Sequence, residues 1–258
     1  MYPDCSNTNI MIELNNIYND DCIVGMKMIP DCSIDLVLTD PPFNTTNCAW
    51  ECEIDLNLLW DEWKRILKPN GAILIFGSEP FSSKVRLSNL EWYKYDLYWV
   101  KEKPVNFFQL KRRYGKTTEN IMVFYKQQPT YNPQMVKHNG PKVTNATKKS
   151  HTSVTTGISS SQIKPYEDTG WRYPTDILRF NREKLGSTIH ETQKPLELAK
   201  HLIKAFTNEG DIVLDCFSGS GTFALASSLL DRKYIAFEKD KTIYEKSIQR
   251  LENYEDRI

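Results

Sequence analysis

The sequence predicts an α/β fold in which short buried strands alternate with amphipathic helices. Three observations carry this. Short apolar runs recur, suited to strands covered on both faces. Segments with apolar residues at helical spacing separate them. Near the C-terminus one such strand passes into a helix through a glycine turn.

In chain order, Ile34–Thr39 (IDLVLT) reads as a buried parallel strand. Leu56, Leu59, Trp60, Trp63, Ile66 and Leu67 recur at helical spacing, and Pro69-Asn70-Gly71 ends that helix. Ala72–Phe76 is the next buried strand, closed by Gly77. Tyr95–Val100 and Ile121–Tyr125 are aromatic-rich strands. From 129 to 190 the periodicity fades, and Thr144–Gln162 holds mostly Ser, Thr, Lys, Asn and Gly. That composition suits a disordered linker or a loop that orders on a polyanion, and does not choose between them. Order returns with a helix opened by Pro195 and running to Phe206. Strand Asp211–Asp215, the turn Gly219-Ser220-Gly221, helix Thr222–Leu230, strand Lys233–Phe237 and helix Lys241–Asn253 follow.

A chain of 258 residues, 40% apolar and 26% charged, can bury a sizeable core. No run approaches the roughly 18 apolar residues of a membrane span. Met1–Cys5 opens no secretory signal, so a cytoplasmic protein of a bacterial or phage-infected cell is expected. The six cysteines lack the spacing of a zinc site or a disulfide framework and read as reduced thiols. His138, His151 and His190 are not at metal-ligand spacing, and no metal is expected.

The 33 basic and 33 acidic residues cancel, but not locally. Residues 101–186 hold 16 Lys and Arg against 6 Asp and Glu, a net of +10; the remainder holds 17 against 27, a net of −10. The basic segment centres on Lys111-Arg112-Arg113-Tyr114. Cations interleaved with aromatics suit a phosphate backbone and its bases, although charge alone equally describes a solvated surface.

Two motifs carry chemistry. Strand 211–215 ends at Asp215, and Gly219-x-Gly221 then opens a helix; Glu238 ends the next strand, where it could accept ribose hydroxyls. The glycines and Glu238 do not separate NAD from other adenosine cofactors. Asp215 tilts the balance, because a carboxylate there faces a pyrophosphate badly but suits an ammonium or sulfonium. The second motif is Asp40-Pro41-Pro42-Phe43, straight after strand 34–39. Paired prolines stiffen the backbone and leave carbonyl acceptors free. A carboxylate, a rigid carbonyl and an aromatic face together suit a planar group bearing an NH₂.

Together the motifs resemble those of the S-adenosylmethionine-dependent DNA amino-methyltransferases. Their order resembles the β class: Asp40-Pro41-Pro42-Phe43, the basic segment, Thr192-Gln193-Lys194-Pro195, then Asp215-x-Phe217-x-Gly219-x-Gly221-Thr222. The resemblance covers most of the chain and is weakest between 130 and 188. It implies a doubly wound, Rossmann-like sheet, mostly parallel with one antiparallel strand, plus a small irregular target-recognition insertion. It divides the chain into a catalytic half (1–128), a target-recognition region (129–190) and a cofactor-binding half (191–258).

By the same resemblance, Asp40, Pro41, Pro42 and Phe43 hold a flipped base. Asp215, Phe217, Gly219, Ser220, Gly221 and Thr222 surround the methionine end of S-adenosylmethionine. Glu238 takes its ribose, Asp21 and Cys22 line its adenine, and Asp40 borders it. Thr192, Gln193 and Lys194 lie near its carboxylate. Cys216 departs from the usual small residue or Pro but is small enough to fit. Lys111, Arg112, Arg113, Lys148 and Lys149 would contact the phosphates of double-stranded DNA. Aspartate at position 40 favours adenine N6 over cytosine N4 without excluding it. An RNA or protein-amide methyltransferase, a non-catalytic DNA-binding relic and a nicotinamide oxidoreductase are the competing readings. Candidate partners are a second copy of the chain and a separately encoded restriction endonuclease.

Overall fold

The computed structural model describes residues 12–43, 54–138, 169–183 and 193–255. They fall in two compact units: residues 1–132 with 176–258, and residues 133–175. In the smaller unit, strands β6 (Val136–Lys137) and β7 (Trp171–Arg172) pair antiparallel, and the His138 N–H donates to the Gly170 carbonyl at 2.8 Å.

The larger unit is built on one eight-stranded sheet. In chain order it contains β1 (Asn16–Tyr18), α1 (Cys22–Met26), β2 (Ile34–Thr39), α2 (Leu56–Ile66), β3 (Leu67–Gly77), α3 (Phe81–Ser88), β4 (Tyr93–Val100) and β5 (Thr118–Phe124). After the smaller unit come β8 (Ile177–Arg179), α4 (Leu196–Phe206), β9 (Ile212–Asp215), α5 (Thr222–Ser228), β10 (Lys233–Phe237) and α6 (Lys241–Glu255). The strand order is β1-β10-β9-β2-β3-β5-β4-β8. Every pairing is parallel except those of β5, which runs antiparallel to both β3 and β4. The sheet is therefore mostly parallel with one reversed strand, as expected.

Alternation along the central strands divides the core between the two faces. Ala72, Leu74 and Phe76 join one cluster with Leu36, Leu38 and the apolar sides of α4 and α5. Ile73 and Ile75 join the other with Val37, Met26, Trp63 and Val85 of α1, α2 and α3. Helices thus cover both faces, which keeps a parallel sheet dry.

Helix α2 shows how local signals fix an element. The Asp55 carboxylate caps it, accepting from the Asn57 and Leu58 N–H groups at 2.9 and 3.3 Å. Leu59, Trp60, Trp63 and Ile66 point inward. Leu67 turns extended, Pro69 cannot continue the helix, and the chain bulges before pairing resumes at Leu36↔Ala72.

Strands β2 and β10 have the bounds expected of them. Strands β1 and β8 and helices α1 and α3 escape a pattern reading because each is too short to establish a period. The cysteine expectation needs correction at one site: Cys22 and Cys216 are free, but Cys32 is disulfide-bonded. Spacing along the sequence does not reveal which cysteines folding brings together. No described helix is long and apolar enough to cross a membrane.

Candidate active site

The strand order reverses between β9 and β2, and ligands of open α/β sheets bind outside the carboxyl ends at such a switch point. Both chemistry-bearing motifs converge there. Asp215 ends β9, Asp40 follows β2, and the Thr39 hydroxyl donates to Asp215 Oδ1 at 3.1 Å. Glu238 follows β10, the next strand over.

Asp215 is buried. Its Oδ1 also accepts from the Phe217 N–H at 3.1 Å, while Oδ2 has no hydrogen-bond partner among the described residues. Burial pushes its pKa up to about 8, and the carboxylates of Asp40 and Glu238 add to the rise. Beneath it Cys216 is packed as a neutral thiol, accepting from Trp63 Nε1 at 3.3 Å. Burial pushes that thiol well up, so it behaves as a small apolar residue.

The glycine turn joins Asp215 to Glu238. Gly219 and Gly221 hold φ of +51° and +71°, a region that side chains disfavour. A Cβ at Gly221 would press on Leu251 and Ile17 at 3.0 and 3.2 Å. The Gly219 N–H donates to Glu238 Oε2 at 2.8 Å, so turn and carboxylate brace each other. Burial raises the Glu238 pKa. Arg250 of α6 supports the same turn, donating to the Ser220 carbonyl at 2.9 Å and to the Thr222 hydroxyl at 2.8 Å. Arg250 has no motif to mark it, because it reaches the turn from a helix at the end of the chain.

Asp21 caps α1, accepting from the Ile23 N–H at 2.9 Å, and pairs with Lys239 at 3.1 Å. Cys22 is buried in the first turn of the same helix. Both follow β1, the strand beside β10, so they share the carboxyl edge with Glu238. Phe217 is partly buried on the apolar cluster below.

On the other side of the switch point lies Lys194, expected near a cofactor carboxylate. It is buried and forms ion pairs with Asp40 and, at 3.1 Å, with Glu119. Glu119 in turn pairs with Lys101 at 2.6 Å. A row of alternating charge, Asp40–Lys194–Glu119–Lys101, thus runs along the sheet edge. Burial opposes the Lys194 ammonium, but Asp40 and Glu119 hold its pKa above the ordinary lysine value. Burial likewise opposes the Glu119 carboxylate, yet Lys194 and Lys101 keep it below its ordinary value. Asp40 Oδ1 is buried with no hydrogen-bond partner among the described residues. Glu119 is invisible to motif reading because β5 runs backward: its first residues, not its last, lie at this edge.

Phe43 stacks on Phe81, with ring centroids 5.4 Å apart, and packs on both core clusters with Pro41 buried before it. Gln193 is buried. Lys111, Arg112 and Arg113 are exposed in the β4–β5 connection. Thr192, Lys148 and Lys149 lie outside the described residues.

A doubly wound sheet with a glycine turn and strand-tip carboxylates at its switch point fits the class of α/β enzymes that use an adenosine-containing cofactor. The family follows directly: the N6/N4 methyltransferase model, described as DNA methylase, matches residues 34–249, and the chain belongs to that family. It is 27% identical to the DNA adenine methyltransferase YhdJ of Escherichia coli (strain K12), over 98% of this chain and 87% of that protein. It is 28% identical to the Type II methyltransferase M.HinfI of Haemophilus influenzae, over 94% of this chain and 70% of that protein. Among solved structures it resembles the M1.HpyAVI–SAM complex, with 26% identity, a TM-score of 0.61, and coverage of 91% of this chain and 98% of that one.

The cofactor is S-adenosylmethionine. The site fits it. A buried carboxylate oxygen lacking a partner among the described residues, on a group whose pKa burial has raised, is a receptor for a cation. Open space at the Gly219 Cα position admits a ligand close to the backbone.

Proposed function

We propose that the protein moves a methyl group from S-adenosylmethionine to the N6 amine of an adenine flipped out of duplex DNA. The observation that carries this is Asp40: its Oδ2 side is held by Lys194, while Oδ1 is buried with no partner among the described residues.

The exocyclic amine of a base is conjugated with its ring, so its lone pair is a poor nucleophile. Asp40 Oδ1 and the Pro41 carbonyl accept its two hydrogens, which favours a pyramidal nitrogen with an available lone pair. Lys194 and Glu119 fix the carboxylate, so catalysis is largely positioning and stabilisation of positive charge developing on the amine. The N–C bond would form as the sulfur–methyl bond breaks, with that electron pair going to a neutral thioether that departs, and Asp40 takes the surplus proton and passes it to water. Bound S-adenosylmethionine supplies the electrophilic methyl carbon on its sulfonium. Asp215 and Glu238 hold it on the other side of the switch point, with Asp21 and Cys22 at its adenine and Gln193 nearby. The amine is inaccessible inside a stacked duplex, which is why the base must leave it.

Adenine is supported by aspartate at position 40 and by the name of the YhdJ relative. Residues 129–190 form the target-recognition region in this reading, between the catalytic and cofactor halves. Lys111, Arg112, Arg113, Lys148 and Lys149 position the phosphates without reading sequence. The M.HinfI name supports a restriction–modification setting with a separate nuclease. A homodimer would extend a small recognition region.

The test is transfer of labelled methyl to unmethylated plasmid DNA, followed by nucleoside mass analysis. N6-methyladenine is expected. N4-methylcytosine would overturn the base assignment while keeping the mechanism. Unlabelled DNA from a protein that still binds cofactor would overturn the reading.

A further inference from the structure

The β4–β5 connection exposes large aromatic side chains where a soluble protein has no internal use for them. Phe108 and Tyr114 are each 99% exposed, and Phe107 is 70% exposed. They flank Lys111, Arg112 and Arg113, and no acidic residue occurs between Lys103 and Thr118. Scattered exposed hydrophobics are ordinary, but two fully exposed rings in one cationic loop are not.

The loop is braced rather than loose at its base. The Lys101 N–H donates to the Thr117 carbonyl at 2.7 Å, and the Val105 N–H to the Lys116 carbonyl at 3.0 Å. Across the loop, Asn106 Nδ2 donates to the Tyr114 carbonyl at 3.0 Å, and its Oδ1 accepts from the Lys116 N–H at 2.6 Å. A short 3₁₀ turn, Phe107–Gln109, then sets the rings at the tip. Both roots of the loop belong to the charged row of the site: Lys101 and Glu119 pair with each other, and Glu119 pairs with Lys194, the partner of Asp40.

We propose that this loop is a base-stack wedge: Phe108 and Tyr114 enter duplex DNA beside the target and fill the gap that the flipped base leaves. The inference rests on the methyl-transfer reading above, which requires an unstacked base. Lys111, Arg112 and Arg113 match the phosphates on either side, and it is this charge that favours DNA over an apolar partner. An aromatic ring in the vacated position regains part of the lost stacking, which lowers the cost of flipping.

The experiment compares wild type, Phe108→Ala, Tyr114→Ala, the double variant and Phe108→Trp. The substrate carries 2-aminopurine in place of the target adenine, within the sequence that the wild type methylates. Flipping is read as a rise in fluorescence, and methylation is timed on a paired duplex and on one with an abasic site opposite the target. The double variant is expected to lose most of the fluorescence rise and to methylate paired duplex about tenfold or more slowly, the size of one aromatic–base stack. It should recover to within about threefold of wild type on the abasic duplex, where unstacking costs less. Phe108→Trp should retain flipping. Wild-type rates on paired duplex, or equal losses on both substrates, would overturn the wedge while leaving methyl transfer intact. So would a wild-type dimer that becomes monomeric in the double variant, since the rings would then be a self-association surface. Failure of the wild type to methylate any DNA would overturn both readings at once.

Discussion

The two sides of the switch point solve the same problem in opposite ways. Each places at a strand tip a carboxylate with one buried oxygen that has no hydrogen-bond partner among the described residues. On the β2 side, Asp40 is already matched by Lys194, which Glu119 and Lys101 support in turn. On the β9 side, Asp215 has only neutral donors among the described residues, the Thr39 hydroxyl and the Phe217 N–H. Burial pushes its pKa up to about 8, and these two hydrogen bonds offset only part of that rise. In the proposed function the catalytic side carries a counter-charge of its own, and the cofactor side would be completed by the cation of its ligand. Burial raises the pKa of both acids, but at Asp40 the Lys194 ammonium works against that rise, whereas no cation opposes it at Asp215 among the described residues.

The sharpest way to break this contrast is Asp40→Ala. Methylation should fall by at least about 10²- to 10³-fold, the scale for removing a group that stabilises developing charge. Cofactor affinity, measured by calorimetry, should stay near wild type. Normal turnover would remove Asp40 from the mechanism.

Next is Lys194→Met, which leaves the buried Glu119 and the partly buried Asp40 without their shared cation. Breaking one partner of a buried ion pair costs roughly 3–5 kcal/mol. Denaturant unfolding should show that loss, and a second change, Glu119→Gln, should return part of it. Additive losses in the double variant would mean that the charged row does not act as a unit.

A smaller effect separates the other side. The folded-state pKa of Asp215 lies above its unfolded value, so it contributes stability below about pH 4 that is lost as pH rises toward about 8. Without cofactor, wild type should therefore lose stability over that window relative to Asp215→Asn. Saturating cofactor should shrink the difference. Parallel pH profiles with and without cofactor would contradict the contrast.

The mildest test concerns the surface. Replacing Lys111, Arg112 and Arg113 by Ala should weaken DNA binding uniformly across sequences. The slope of log affinity against log salt should flatten by about 0.9 for each phosphate that the protein no longer neutralises. An unchanged slope would remove these residues from the DNA interface.

What the sequence makes legible follows the same division. Buried strands announce themselves as apolar runs, so β2 and β10 are legible to the residue. The tips of β2 and β9 are legible because their motifs lie on consecutive residues. The counter-charges are not. Lys194 sits far from Asp40 in sequence, and its motif points to the cofactor rather than to the acid it pairs with. Glu119 reaches the edge only because β5 is reversed, and Arg250 only because α6 folds back on the glycine turn. Spacing captures local chemistry; partners supplied from another element require the topology.

The measurement that bears most directly on the contrast is proton exchange on cofactor binding. Calorimetric titration of S-adenosylmethionine would be run near pH 6.5 in buffers of different ionisation enthalpy, where an α-amino group is already charged. With Asp215 protonated before binding and ionised after it, close to one proton should be released per site. Binding with no proton released would show that Asp215 does not await the cofactor's cation.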